Sequence, residues 1–106
     1  MIRNVVFDMG NVLIHWKPYL FVEDLGVPEG DRALLLREVF GSVEWIQMDR
    51  GTLSFEDGLA VICRRLPERL HGPVRELTLN WWRRWLLPME GMADLVRELK
   101  GLGYGV

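Results

Sequence analysis

Apolar residues run without a break from Val5 to Phe7 and stop at Asp8-Met9-Gly10-Asn11. A short β-branched and aromatic run bounded by turn residues suits a strand buried on both faces, as in a parallel sheet. A second apolar stretch, Val12-Leu13-Ile14, follows the turn. From Pro18 the spacing becomes helical and stays so almost to the end. Punctuation predicts helices over about Pro18 to Leu25, with Gly26 as the stop, and over Glu29 to Phe40, with Gly41 behind it. A short helix follows from Val43 to Asp49. Ser54 with Asp57 three positions later starts another that runs through Arg65 to Pro67. Pro73 opens a helix carrying Trp81, Trp82 and Trp85, and the last covers Glu90 to Lys100. In that last helix Met92, Leu95, Val96, Leu99 and Leu102 form one stripe suited to packing on a sheet.

Gly101-Leu102-Gly103-Tyr104-Gly105-Val106 reads as a helix stop and the opening residues of a further strand. One strand and a helical insert make a crossover unit rather than a finished sheet. The chain is therefore expected to be the truncated, N-terminal part of a larger α/β protein, mostly helical as given. Residues 1–14 would hold the first core strand and its turn, 15–88 a helical insert, and 89–106 a core helix and the start of a second core strand. A chain so built is expected to self-associate as a homodimer or to pair with a missing C-terminal part.

Composition narrows the classes. Thirteen Lys+Arg against fifteen Asp+Glu leave a net charge of −2, which gives no footprint for nucleic acid or an anionic membrane. Hydrophobic residues at 49% and charged residues at 26% exclude a disordered chain. The single cysteine, Cys63, excludes an internal disulfide and reads as a small buried hydrophobe. No apolar run suits a signal peptide or a membrane span, so a soluble, cytoplasmic protein is expected.

The chemistry sits in Val5-Val6-Phe7-Asp8-Met9-Gly10-Asn11-Val12-Leu13. A carboxylate there would stand at the carboxyl end of a strand, where open α/β sheets place their ligand crevice. It could ligate magnesium and attack phosphorus, or it could merely cap the turn. Trp16 and Arg50 are further candidates to face a substrate. The other tryptophans, Trp45, Trp81, Trp82 and Trp85, suit helix-bundle core better than a substrate wall. His71, between Leu70 and Gly72, reads as a surface turn residue.

Phe7-Asp8-Met9-Gly10-Asn11-Val12-Leu13 resembles the first motif of the haloacid dehalogenase superfamily. It is most similar to the bacterial phosphatase-like subfamily with Asp-x-Gly-Asn-Val at this place. His15-Trp16-Lys17-Pro18 suits the exit into a helical cap. Asp49-Arg50-Gly51-Thr52-Leu53-Ser54 is similar to a cap segment of that family, and Pro88 to Tyr104 resembles the helix before its second core strand. The resemblance implies a Rossmann-like core with an inserted helical-bundle cap. It also implies a magnesium-dependent phosphohydrolase acting on a small phosphorylated metabolite through an aspartyl-phosphate. Asp8 would be nucleophile and magnesium ligand, and the Gly10 carbonyl a second ligand. Backbone N–H groups of Met9, Gly10 and Asn11 would hold the phosphoryl group.

Two departures stand against that pattern. Gly10 lies where most phosphatases of the superfamily carry the Asp that protonates the leaving group, and where its dehalogenases carry an aromatic. The family's later Ser/Thr, Lys and distal acidic metal ligands have no counterpart here, so the isolated chain is expected to be inactive. The competing expectation is a non-catalytic helical fragment or a self-associating interaction module.

Overall fold

A computed structural model describes residues 1–106 as seven α-helices with short π and 3-10 turns and no β-strand. The chain divides into two compact units. Met1–Trp16 and Leu86–Val106 form the first, and Lys17–Trp85 form the second. No helix is long and apolar enough to cross a membrane.

The second unit is helical throughout. It holds α1 (Pro18–Asp24), α2 (Glu29–Leu35), α3 (Val43–Arg50), α4 (Phe55–Cys63), α5 (His71–Leu79) and α6 (Trp81–Arg84). Ser42 and Ser54 cap α3 and α4, their hydroxyls accepting the N–H groups of Trp45 and Asp57, each at 3.1 Å. Gly51, at φ 76, ends α3 in the left-handed conformation, which costs a residue without Cβ little. Val22, Leu35, Val39, Ile62, Leu70, Val74 and Leu77 are buried together as its core. A chain of ring contacts runs beside it. Trp85 stacks on Phe21 at 5.3 Å, Phe21 meets Phe40 edge-on at 6.1 Å, and Phe40 meets Trp45 at 4.7 Å. Asp24 ties the two ends of this unit, accepting from the Trp85 indole at 2.9 Å and pairing with Arg84 at 2.9 Å.

Several expected elements take another form. The helix expected over Glu29 to Phe40 is α-helical only through Leu35, and Leu36–Phe40 widens into a π-turn, where the Gly41 N–H reaches the Leu36 carbonyl at 3.0 Å. The helix expected from Pro73 to Trp85 starts at His71 and breaks at Asn80, whose side-chain amide turns back to Glu76 at 3.0 Å. Trp81 opens the resulting short α6 and Trp85, buried, caps its C-terminal end, whereas Trp82 is 50% exposed, with Arg83 over its ring at 4.8 Å. Trp82 is thus not core. His71 is not a surface turn residue either. It is half-buried, and its Nε2 lies 2.9 and 3.1 Å from the Cys63 and Leu66 carbonyls at the end of α4.

In the first unit, Val5–Phe7 is not a doubly covered strand. The Val5 N–H donates to the Gly105 carbonyl at 2.8 Å and the Gly105 N–H to the Arg3 carbonyl at 2.9 Å. These make a single parallel bridge between Asn4 and Gly105, and one rung is too short to count as a sheet. Val6 remains 93% exposed. The last helix, α7 (Met92–Gly101), starts two residues later than expected because Gly91, at φ 80, lies outside helical geometry. Its apolar stripe is only half-covered: Met92, Val96 and Leu99 are partly buried, and Leu95 is exposed. The parallel sheet implied by the sequence resemblance is therefore present only as this bridged pair of extended segments.

Arg65 holds two carboxylates. Its guanidinium donates to both oxygens of Glu44, at 2.8 and 3.0 Å, and to Glu38 at 2.9 Å. Hydrogen bonds from Arg37 and Arg65 keep the Glu38 carboxyl below its ordinary range, and the bond from Arg65 does the same for Glu44. Groups with lowered folded-state pKa contribute stability that is complete above the ordinary carboxylate range and is lost as pH falls through the folded value. The melting temperature should accordingly drop on acidification below about pH 4.5, and Glu44→Gln should flatten that drop. An acid limb unchanged in the variant would show that the pair does not act on stability.

Thr78 is 1% exposed in α5, and its hydroxyl has no hydrogen-bond partner. An unpaired buried hydroxyl costs roughly 1–3 kcal/mol. Thr78→Val keeps the shape and removes that group, so chemical denaturation should find the variant more stable by about 1 kcal/mol.

Candidate active site

Asp8 follows the bridged segment directly, and its carboxylate is exposed. One oxygen, Oδ1, accepts the N–H of the next residue, Met9, at 2.7 Å. The loop beyond is wound tightly around a single acceptor. The Met9 carbonyl receives the N–H groups of Val12, Leu13 and Ile14 at 3.2, 3.0 and 3.1 Å. Asn11 returns in the opposite direction, its N–H donating to the Ile14 carbonyl at 2.7 Å. Its φ of 56 is the one positive value at a residue other than glycine. A short polar side chain makes that conformation accessible to Asn. The Asn11 Oδ1 accepts the Trp16 N–H at 2.9 Å.

Just past Trp16 the chain leaves for the helical unit, and it comes back alongside. The His15 N–H donates to the Leu87 carbonyl at 2.8 Å, and the Met89 N–H to the Leu13 carbonyl at 2.7 Å. Ile14 and Pro88 thereby form an antiparallel bridge. The loop from Met9 to Ile14 is thus bounded on one side by the Asn4–Gly105 bridge and on the other by this neck.

The backbone groups proposed from the sequence are distributed unequally. The Met9 N–H is engaged by Asp8 and the Asn11 N–H by Ile14. Gly10 takes no part in the loop's hydrogen bonds with either its N–H or its carbonyl. Gly10 is therefore the position in this loop whose backbone donor and acceptor are both uncommitted. Trp16 lies in the same unit, its Cβ placed 3.5 Å from where a Cβ on residue 10 would stand. Arg50 is the last residue of α3 in the helical unit and is exposed.

Oxygen donors of this kind, a carboxylate and a peptide carbonyl, suit a hard cation such as magnesium. They fill only part of an octahedral shell, and no group of three His, Cys, Asp or Glu side chains comes together to complete one. The residues present fit magnesium as a partial set: the free oxygen of Asp8 and the Gly10 carbonyl would hold it.

Elsewhere, a groove of about 240 Å³ between α4 and α5 is lined by Glu56, Leu59, Ala60, Cys63, His71 and Arg75. Burial pushes the half-buried Cys63 thiol above its ordinary pKa, so it is held as the unreactive thiol. The bond from the Trp16 N–H to the Asn11 side chain was not anticipated from sequence. The only signal for it is that Asn, in a turn, tolerates left-handed backbone and can bond to it.

Comparison with known proteins supplies a relative. The chain is 31% identical over 106 residues to the sesquiterpene phosphatase astK of Aspergillus oryzae (strain ATCC 42149 / RIB 40), an alignment covering 98% of this chain and 48% of that protein. The chain thus spans about half the length of the curated relative it matches. No protein-family model matches the chain, and no solved structure does. The chain is related to a phosphatase.

The Gly10 backbone is not left-handed, and an added Cβ would meet Trp16 at ordinary contact distance. Gly10→Ala should therefore leave the fold intact and raise stability by roughly 0.4–1 kcal/mol through the unfolded state. A melting temperature lowered by several degrees would show that the loop has no room beside Trp16.

Proposed function

We propose that this chain carries the nucleophile-bearing part of a magnesium-dependent phosphohydrolase of the haloacid dehalogenase type, acting on a small phosphorylated metabolite. The observation that carries the reading is the exposed Asp8 carboxylate, followed two residues later by the uncommitted N–H and carbonyl of Gly10. The similarity to a phosphatase supports it.

In this reading an Asp8 oxygen attacks phosphorus, the P–O bond to the organic group breaks, and an acyl phosphate forms on Asp8. Water then attacks that phosphorus, releasing inorganic phosphate and restoring the carboxylate. The Gly10 N–H donates to a phosphoryl oxygen, a role in which fixed backbone donors act at full strength. Magnesium, when bound, neutralises charge on the phosphoryl oxygens. Gly10 has no side chain to protonate the leaving oxygen, so that proton comes from solvent, and esters with acidic leaving groups react fastest.

The relative is a sesquiterpene phosphatase, which favours an ester of an apolar alcohol as the substrate.

Magnesium with beryllofluoride, which mimics an acyl phosphate, should shift the NMR signals of the Asp8 carboxyl and the Gly10 amide in the wild-type chain. Asp8→Asn should abolish the Gly10 shift, with melting unchanged. A Gly10 shift that persists in Asp8→Asn would place the chemistry elsewhere.

A further inference from the structure

We propose that Asn11 is a positioning residue of the Asp8 site, acting through Trp16 and the Gly10 backbone rather than by touching a phosphoryl group. What the site does rests on the phosphohydrolase reading; how Asn11 acts rests on the loop itself. The Asn11 N–H is committed to the Ile14 carbonyl at 2.7 Å and so is not available to a ligand. The side chain reaches the other way, its Oδ1 accepting the Trp16 N–H at 2.9 Å. Between these two bonds the residue holds φ at 56.

The bond to Trp16 has a consequence at Gly10. It fixes the backbone of Trp16 five residues along the chain, and with it the Trp16 Cβ, which stands within contact distance of any side chain placed on residue 10. Trp16 thus walls one side of the Gly10 backbone. The Gly10 N–H and carbonyl remain the loop's uncommitted donor and acceptor, held in place because Asn11 on one side and Met9 on the other are both tied down. Asn11 therefore does two separable things. It accepts a left-handed backbone, which glycine would do as well, and it ties Trp16, which glycine cannot do.

Substitution separates them. Asn11→Gly keeps the backbone and removes Oδ1, whereas Asn11→Asp keeps an oxygen acceptor at the same place. In the whole 106-residue chain, the Trp16 amide should exchange its hydrogen about tenfold faster in Asn11→Gly, and the Gly10 amide resonance should move. Helical circular dichroism should stay as in wild type. Asn11→Asp should restore slow Trp16 exchange, since a carboxylate oxygen accepts the same N–H. Wild-type Trp16 exchange and an unmoved Gly10 resonance in Asn11→Gly would overturn the proposal, as would failure of Asn11→Asp to restore protection. Inorganic phosphate with magnesium separates this from the function itself. If phosphate leaves the wild-type Gly10 resonance unmoved while Trp16 exchange still follows residue 11, the phosphate reading falls and the Asn11–Trp16 coupling stands.

Discussion

Two backbone hydrogen bonds at the neck, from His15 to the Leu87 carbonyl and from Met89 to the Leu13 carbonyl, set the terms for everything around the Asp8 loop. A long helical excursion between residues 17 and 85 would otherwise leave the loop's far end untethered. With the neck closed, the segment that leaves and the segment that returns are neighbours, and the six residues from Met9 to Ile14 are gripped at both ends. The loop can then gather three amides on the Met9 carbonyl and still leave Gly10 open. Neither side chain of Ile14 nor of Pro88 is needed for this; the restraint is carried by main-chain groups alone.

Local signals in the sequence were read well where the cause is local. Ser54 sits one residue before α4 and caps it, and Gly26, at φ 70, follows the end of α1 as a glycine stop. The candidate nucleophile was legible for the same reason, because an apolar run that stops at an acid and a glycine is a pattern within ten residues. What the sequence hid depends on partners far along the chain. Val5–Phe7 has strand composition, but pairing is decided by what lies beside it, and here that is only the stretch around Gly105. The break at Asn80 was hidden because its polar side chain chooses between solvent and Glu76 only in the folded unit. His71 looked like a turn residue because the carbonyls it meets belong to α4.

The candidate carboxylate was therefore legible in the sequence, and the hydrogen bonds of the loop around it were not. Of the three amides expected to face a phosphoryl group, two are bound within the loop, and no residue type announces which amide is left over. That is settled by the hand of the turn, which Asn11 sets through a single backbone angle.

Arg65 shows how much a planar cation can carry that a point charge cannot. Its three donor nitrogens address Glu44 through both oxygens and Glu38 through a third bond, joining the π-turn, the start of α3 and the end of α4. A lysine ammonium offers no such fork and cannot span two carboxylates set apart in this way. Positions 38, 44 and 65 are consequently coupled: loss of the guanidinium leaves Glu44 without its ion-pair partner and Glu38 with Arg37 alone, so a change at position 65 is felt at both acids.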